Sequence, residues 1–367
     1  MNKSFIRKNN IQLIFLSDSL PSPTNFVYKI AKFLKENNKD YETKFVRFTF
    51  INAIKLYIKV CKSIWNKDCL IIQSHHTKSL LLNINLKLIS KFFFYGEIYS
   101  FHTLHYELKR FYGLKLFIFK LSKNFIDQYS CVSSALAIQW VKLFDKKIDI
   151  IQAGISNEEK EEIKRKSLSK NLEKDKKEFF TISWVGRFEE VKRPEYFLKA
   201  VNKLVSIQNK KLRIYIAGDG SLRGNIIKNI ASINKVIDTT ESIINVEYLG
   251  LLNRNRLFNL IAKTDLYVNT SSSESLCLTV IEFLSNPACN LILPDIQVLR
   301  EYYECGRVKY FNKDSIEELV QLISDSINHN KNIDFNADNN LPSIYKKLNL
   351  ENASEYYINL YSGVIKK

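Results

Sequence analysis

Phe179-Phe-Thr-Ile-Ser-Trp-Val-Gly-Arg-Phe-Glu-Glu-Val-Lys-Arg-Pro194 reads as a strand, a tight turn and the approach to a helix. The apolar run from Phe179 to Val185 has strand composition, and Gly186 lets the backbone turn at once. Arg187 and Lys192 both fall on the strand-to-helix loop. Arginine supplies a planar fork and lysine a point charge, a pairing suited to a diphosphate. The competing reading is two solvated cations balanced by Glu189 and Glu190.

The same unit recurs on both sides. Downstream, strands are expected at Leu212–Ala217, Val246–Leu249, Asp265–Asn269 and Asn290–Leu293. Helices are expected at Pro194–Val205, Arg254–Ala262, Leu278–Leu284, Ser315–Ser326 and Glu351–Ser362. Upstream, Ile11–Leu16, Thr43–Thr49, Cys69–Gln73, Glu97–Phe101, Tyr129–Val132 and Ile148–Ile151 read as strands, with helices at Asn25–Asn37 and Ala135–Leu143. Strands alternating with helices imply mostly parallel sheets covered on both faces, an α/β class. The charged stretch from Asn157 to Lys177 reads as a surface segment or linker. The expected organisation is therefore two Rossmann-like domains with a cleft between them, residues 1–160 and 161–345. A C-terminal helix in 346–367 would pack back toward the first domain. Ligands in such sheets sit at the carboxyl ends of strands.

Two further motifs follow predicted strands. Ala217-Gly-Asp-Gly-Ser-Leu222 carries Gly218 and Gly220, which allow a tight turn. Ser271-Ser-Ser-Glu-Ser-Leu-Cys-Leu-Thr-Val-Ile-Glu282 places Glu274 at a loop–helix junction and Glu282 about two turns further in. A helix opening offers unpaired N–H groups and a positive dipole end to a phosphate. The two carboxylates could grip hydroxyls at the two ends of a sugar nucleotide, or be an ordinary loop residue and a solvated helix residue.

The ordered set of strand-GR-x4-K, strand-GDG-x-L, Tyr248-Leu-Gly250 and Ser-x2-Glu-x7-Glu resembles glycosyltransferase family 4, retaining enzymes with the GT-B fold. The resemblance covers most of residues 180–310. It implies that Arg187 and Lys192 neutralise a nucleotide diphosphate, that Glu282 binds the ribose, and that Glu274 faces donor-sugar hydroxyls. Gly186, Gly218, Ser275, Leu276, Cys277 and Leu278 complete the implied donor site. Such enzymes typically need no metal, because cations stabilise charge on the leaving diphosphate; no cofactor is expected beyond a UDP- or GDP-linked sugar as substrate. Upstream, Tyr99-Ser-Phe-His-Thr-Leu-His105 resembles the family segment in which a histidine follows a strand, and His102 is the best match. Ser130-Cys-Val-Ser-Ser134 and Ile148–Ile155 resemble later elements of that domain. Departures are Cys277 where the family has glycine, Ala153 where it has asparagine, Ser285-Asn-Pro287 after Glu282, and Ser17–Thr24 in place of a glycine-rich loop.

The chain has 367 residues, enough for two domains with real cores, and a net charge of +17. Residues 1–155 hold 24 Lys and Arg against 10 Asp and Glu, so most of the excess lies in the first half. Nucleic acid, anionic lipid and a phosphate-bearing substrate are all partners that such charge attracts. No RNP, zinc-finger or basic-zipper pattern is present, so nucleic acid is not expected. Leu80–Phe94 and Leu108–Phe125 mix large apolar residues with lysine, as an interfacial helix would. This suggests an anionic membrane and a polyprenyl-diphosphate-linked or other glycan acceptor. No apolar run is long enough to span a bilayer, and no leader pattern opens the chain, so a cytoplasmic location, peripheral at the inner face of the plasma membrane, is expected. The six cysteines lack CxxC spacing, and reduced thiols without metal are the default. The leading expectation is hexose transfer in bacterial surface-polysaccharide assembly. A GT-B-like sugar-nucleotide epimerase, a phosphorylase, a non-catalytic transferase-like subunit and a nucleic-acid-binding protein remain as alternatives.

Overall fold

The structure, a computed structural model, describes residues 11–17, 26–37, 41–47, 49–65, 69–93, 98–105, 108–171, 179–207, 210–238, 244–328 and 340–365. The chain divides into two compact units, residues 1–154 with 349–367, and residues 155–348.

In the first unit β1 (Ile11–Ser17), α1 (Phe26–Asn37), β2 (Tyr41–Arg47), α2 (Phe50–Trp65), β3 (Cys69–His75), α3 (Thr77–Phe93), β4 (Ile98–Leu104), α4 (Gly113–Ser122), β5 (Gln128–Cys131), α5 (Ser134–Phe144) and β6 (Ile148–Ile150) alternate. The strands form one parallel sheet in the order β2-β1-β3-β4-β5-β6. Every residue of β3 is buried, as a strand covered on both faces requires. Right-handed crossovers place α2 to α5 on one face and α1 on the other.

The second unit begins with α6 (Asn157–Asn171) and continues β7 (Phe180–Val185), α7 (Pro194–Val205), β8 (Leu212–Ala217), α8 (Arg223–Asp238), β9 (Ile244–Gly250), α9 (Arg254–Lys263), β10 (Leu266–Val268), α10 (Leu278–Leu284), β11 (Asn290–Pro294), α11 (Gln297–Tyr303), β12 (Val308–Phe311), α12 (Ile316–Asn328) and α13 (Leu341–Lys347). Its parallel sheet runs β12-β11-β10-β7-β8-β9. The order reverses at β7 and β10, so the loops after these two strands open at a topological switch point. The last helix, α14 (Leu350–Ile365), belongs to the first unit and packs against α1. There Tyr361 Oη donates to Gln73 Oε1 at 3.1 Å, and the Tyr357 hydroxyl lies 3.0 Å from Thr103 Oγ1.

Three sequence readings are corrected. Residues 157–171 form a helix rather than a linker (172–178 lie outside the described residues). Ser156 and Glu159 cap it reciprocally, each side chain accepting from the other's backbone N–H at 3.1 and 3.2 Å, and Ile163 and Ser167 bury one face. The boundary accordingly falls before Ile155 rather than after residue 160. The Leu80–Phe94 segment, read as interfacial, is mostly core: Leu80, Leu82, Ile84 and Leu86 are buried (Phe94 lies outside the described residues). Helix α2 was missed by the sequence reading, although its polar residues Asn52, Lys55, Lys59, Lys62 and Ser63 gather on one side and leave a broad apolar face. The Ser17–Thr24 loop lies, beyond Ser17, outside the described residues.

Candidate active site

Three loops of the second unit interlock at the carboxyl ends of β7, β8 and β10. Gly186 N–H donates to Ala217 O at 3.1 Å, Phe188 N–H to Asp219 O at 2.9 Å, and Leu222 N–H to Phe188 O at 2.9 Å. A Cβ on Gly218 (φ +146°) would stand 1.8 Å from the Gly186 carbonyl oxygen. Both conformation and space therefore demand glycine there. The serine loop joins from the other side: Ser272 N–H donates to Val191 O at 2.9 Å, and Thr270 Oγ1 to Arg193 O at 2.9 Å.

This interlock brings Lys192 onto Glu274, Nζ to Oε1, at 2.5 Å. Glu274 is buried and also accepts from Ser271 Oγ at 2.6 Å. Burial opposes both charges, yet the pair overcomes it: the Glu274 carboxyl is held below its ordinary value by Lys192, and the Lys192 ammonium above its own by Glu274. Arg187 is exposed on the same loop and makes no ion pair among the described residues. Its charge is near enough to weigh against the Lys192 ammonium. One free cation thus stands beside one paired cation.

Cys277 adopts a left-handed backbone (φ 63°) at the entry to α10, the conformation that favours glycine. Its Sγ accepts from Asn269 Nδ2 at 3.2 Å, and its carbonyl from the Tyr303 hydroxyl at 3.0 Å. Burial, then the Glu274 charge, push the thiol well above its ordinary value. Ser275 and Leu278 are half-buried on either side, and Leu276 is buried.

Glu282 is buried in α10 and is not solvated. Its Oε1 accepts from Arg254 Nη1 at 2.5 Å, while Arg254 Nη2 donates to Glu159 Oε1, also at 2.5 Å. The sequence reading missed Arg254 and Glu159. The glutamate in the capping pattern Ser156-x-x-Glu159 was the available signal, but nothing local pointed to Arg254. The Ser285-Asn-Pro287 departure has a structural replacement. Buried Arg307 donates through Nη2 to Leu284 O and through Nη1 to Asn286 O, both at 2.8 Å, satisfying carbonyls at the end of α10.

His102 lies in the first unit, inside β4 rather than after it. Its ring is buried, with Nδ1 2.9 Å from Ser74 Oγ, and burial followed by the His76 charge lowers its pKa to about 3. The residue that follows β4 is His105, whose Nε2 lies 2.9 Å from His75 Nδ1. Among the described residues no cluster of three His, Cys, Asp or Glu side chains is arranged to hold a metal ion.

Residues 160–340 match the family model "Glycosyl transferases group 1". No curated protein matches the chain by sequence. Among solved structures, Anabaena HepE in complex with UDP-glucose is 14% identical over 96% of this chain and 99% of its own, with a TM-score of 0.73. Sucrose-phosphate synthase from Thermosynechococcus elongatus is 13% identical over 97% and 100%, with a TM-score of 0.73. A glycosyltransferase from Rickettsia africae is 14% identical over 98% and 100%, with a TM-score of 0.70. The two six-stranded parallel sheets are those of the GT-B fold, and most of the second unit is similar to the group 1 glycosyl transferases.

Proposed function

We propose that the chain is a retaining glycosyltransferase of family 4 that moves a hexose from a nucleotide sugar to a glycan or polyprenyl-diphosphate-linked acceptor. The observation that carries this reading is the meeting of Lys192, Glu274 and Arg187 on loops at the switch point of the second sheet. Arg187 and Lys192 take the donor diphosphate, and their positive charge stabilises the leaving group without need of a metal. Glu274, already held by Lys192 and Ser271, receives donor-sugar hydroxyls. Glu282, oriented by Arg254, receives the ribose. The strand-end position of His105 makes it a stronger candidate than His102 for the histidine of the first unit.

HepE was crystallised with UDP-glucose, which favours a UDP-linked donor here. The basic first half fits an acceptor carrying phosphate, in bacterial surface-polysaccharide assembly at the inner face of the plasma membrane.

A thermal-shift screen against UDP, GDP, ADP, CMP and their sugar conjugates tests the donor site. One nucleotide at a hundredfold excess over its Kd adds about 2.7 kcal/mol of stability. The shift is lost in Lys192→Ala. Absence of any shift in the wild type sinks the reading, and donor turnover without acceptor replaces it with an epimerase or hydrolase.

A further inference from the structure

Helix α2 of the first unit is apolar on two sides. Leu56 and Val60 pack into the core against β1 and β3. On the opposite side Ile51, Ile54, Ile58 and Trp65 form a stripe at i, i+3, i+7 and i+14, with Ile58 66% and Trp65 79% exposed. Helix α4 repeats the arrangement: Phe119 is buried, while Leu114 (74% exposed), Phe117 (60%) and Leu121 form a second stripe at i, i+3 and i+7. Helix α3 touches both helices and adds the partly exposed Leu81. Single exposed apolar residues are ordinary, but large ones gathered on three adjacent helices mark an interaction surface.

The charge on this face has one sign. The sequences of α2, α3 and α4 contain no aspartate or glutamate. Lys55 and Lys62 are exposed along one edge of the α2 stripe, and Lys115 and Lys120 on α4. A second copy of the chain docked symmetrically through this face would set lysine against lysine with no acid on these three helices to answer it. Protein partners favour arginine in their contact surfaces and disfavour lysine. Leucine, isoleucine and aromatic residues edged by lysines, with Trp65 and Tyr112 near helix ends, suit the boundary between lipid headgroups and acyl chains.

We infer that the exposed faces of α2 and α4 dock the first unit on an anionic membrane, α2 inserting Ile51, Ile54, Ile58 and Trp65 while Lys55 and Lys62 reach lipid phosphates. This deepens the membrane-bound-acceptor reading and rests on it. The docking element is mainly α2, a segment the sequence pattern did not single out.

The test is flotation of the full chain with vesicles of phosphatidylcholine alone, or of equimolar phosphatidylcholine and phosphatidylglycerol, at low and high salt. The wild type is expected to float with the anionic vesicles at low salt. Ile54→Glu with Ile58→Glu is expected to cut the vesicle partition coefficient about tenfold, a change of about 1.4 kcal/mol. Leu114→Glu with Phe117→Glu is expected to weaken binding as well. Both variants should keep the wild-type thermal shift with the donor nucleotide, which separates lost docking from lost folding. If the wild type does not bind anionic vesicles, the membrane reading fails and this inference with it. If the wild type binds and both variants bind equally well, the membrane reading stands and the α2–α4 surface is wrong. A wild type that fails to float but elutes as a dimer, made monomeric by the α2 variant, also overturns it in favour of self-association.

Discussion

Lys192 Nζ and Glu274 Oε1 stand 2.5 Å apart although 82 residues separate them in sequence. The pair ties the loop after β7 to the loop before α10, so the site that would receive a diphosphate is preformed. Glu274→Ala leaves the Lys192 ammonium enclosed without its partner. Breaking a buried pair in this way costs about 3–5 kcal/mol, measurable by urea unfolding. Exposure of about a fifth of the Lys192 side chain argues for the lower end.

The same pair sets a pH window. Glu274 is depressed in the folded state, so its contribution is present above the ordinary carboxylate pKa and lost as pH falls through the folded value. Lys192 is raised, so its contribution is present below the ordinary lysine pKa and lost as pH rises through the folded value. The difference in stability between wild type and Glu274→Gln should stay flat across neutral pH and shrink at both extremes.

Arg254 holds Glu282 and Glu159 at once, and burial fails to lower its pKa because both carboxylates raise it. Arg254→Met should leave Glu282 free to swing from the position proposed to take the ribose. Calorimetric titration with UDP is expected to show affinity falling about tenfold, or about 1.4 kcal/mol. Glu159→Gln keeps the Arg254–Glu282 contact and should cost less.

Gly218→Ala has no room, since the added carbon meets the Gly186 carbonyl at 1.8 Å and φ is +146°. The loop carrying Arg187 must then move away from the β8 loop. A stability loss of about 2 kcal/mol or more and loss of the nucleotide shift are expected. Gly224→Ala, on an open helical site, is the control.

His102 at about pKa 3 should stay neutral, and its ring resonances should not titrate between pH 5 and 8. Burial also lowers His75 and His105 well below the ordinary histidine value. Unfolding in acid therefore takes up protons, and stability should fall below about pH 6.5 by about 1.4 kcal/mol per pH unit for each such histidine. His105→Ala should reduce transfer more than His102→Phe if the strand-end ring meets substrate.

The sequence alone determined strands β1 to β11 and the loops that follow β7, β8 and β10, but not the edge strand β12. Strand runs such as Phe180–Val185, and the turn glycines behind them, are local signals, and local sterics decide them. It also placed Arg187, Lys192, Glu274 and Glu282 on or beside such loops. Tertiary structure decided which charges meet. Arg254 is 28 residues from Glu282 and 95 from Glu159, and no periodicity encodes that contact. It likewise decided that the charged stretch from Asn157 folds as a helix, because α9 supplies the surface it covers. For α2, sequence pattern and fold part company. Its apolar residues spread over a broad arc, and only packing against β1 and β3 determines which of them face the core and which face outward.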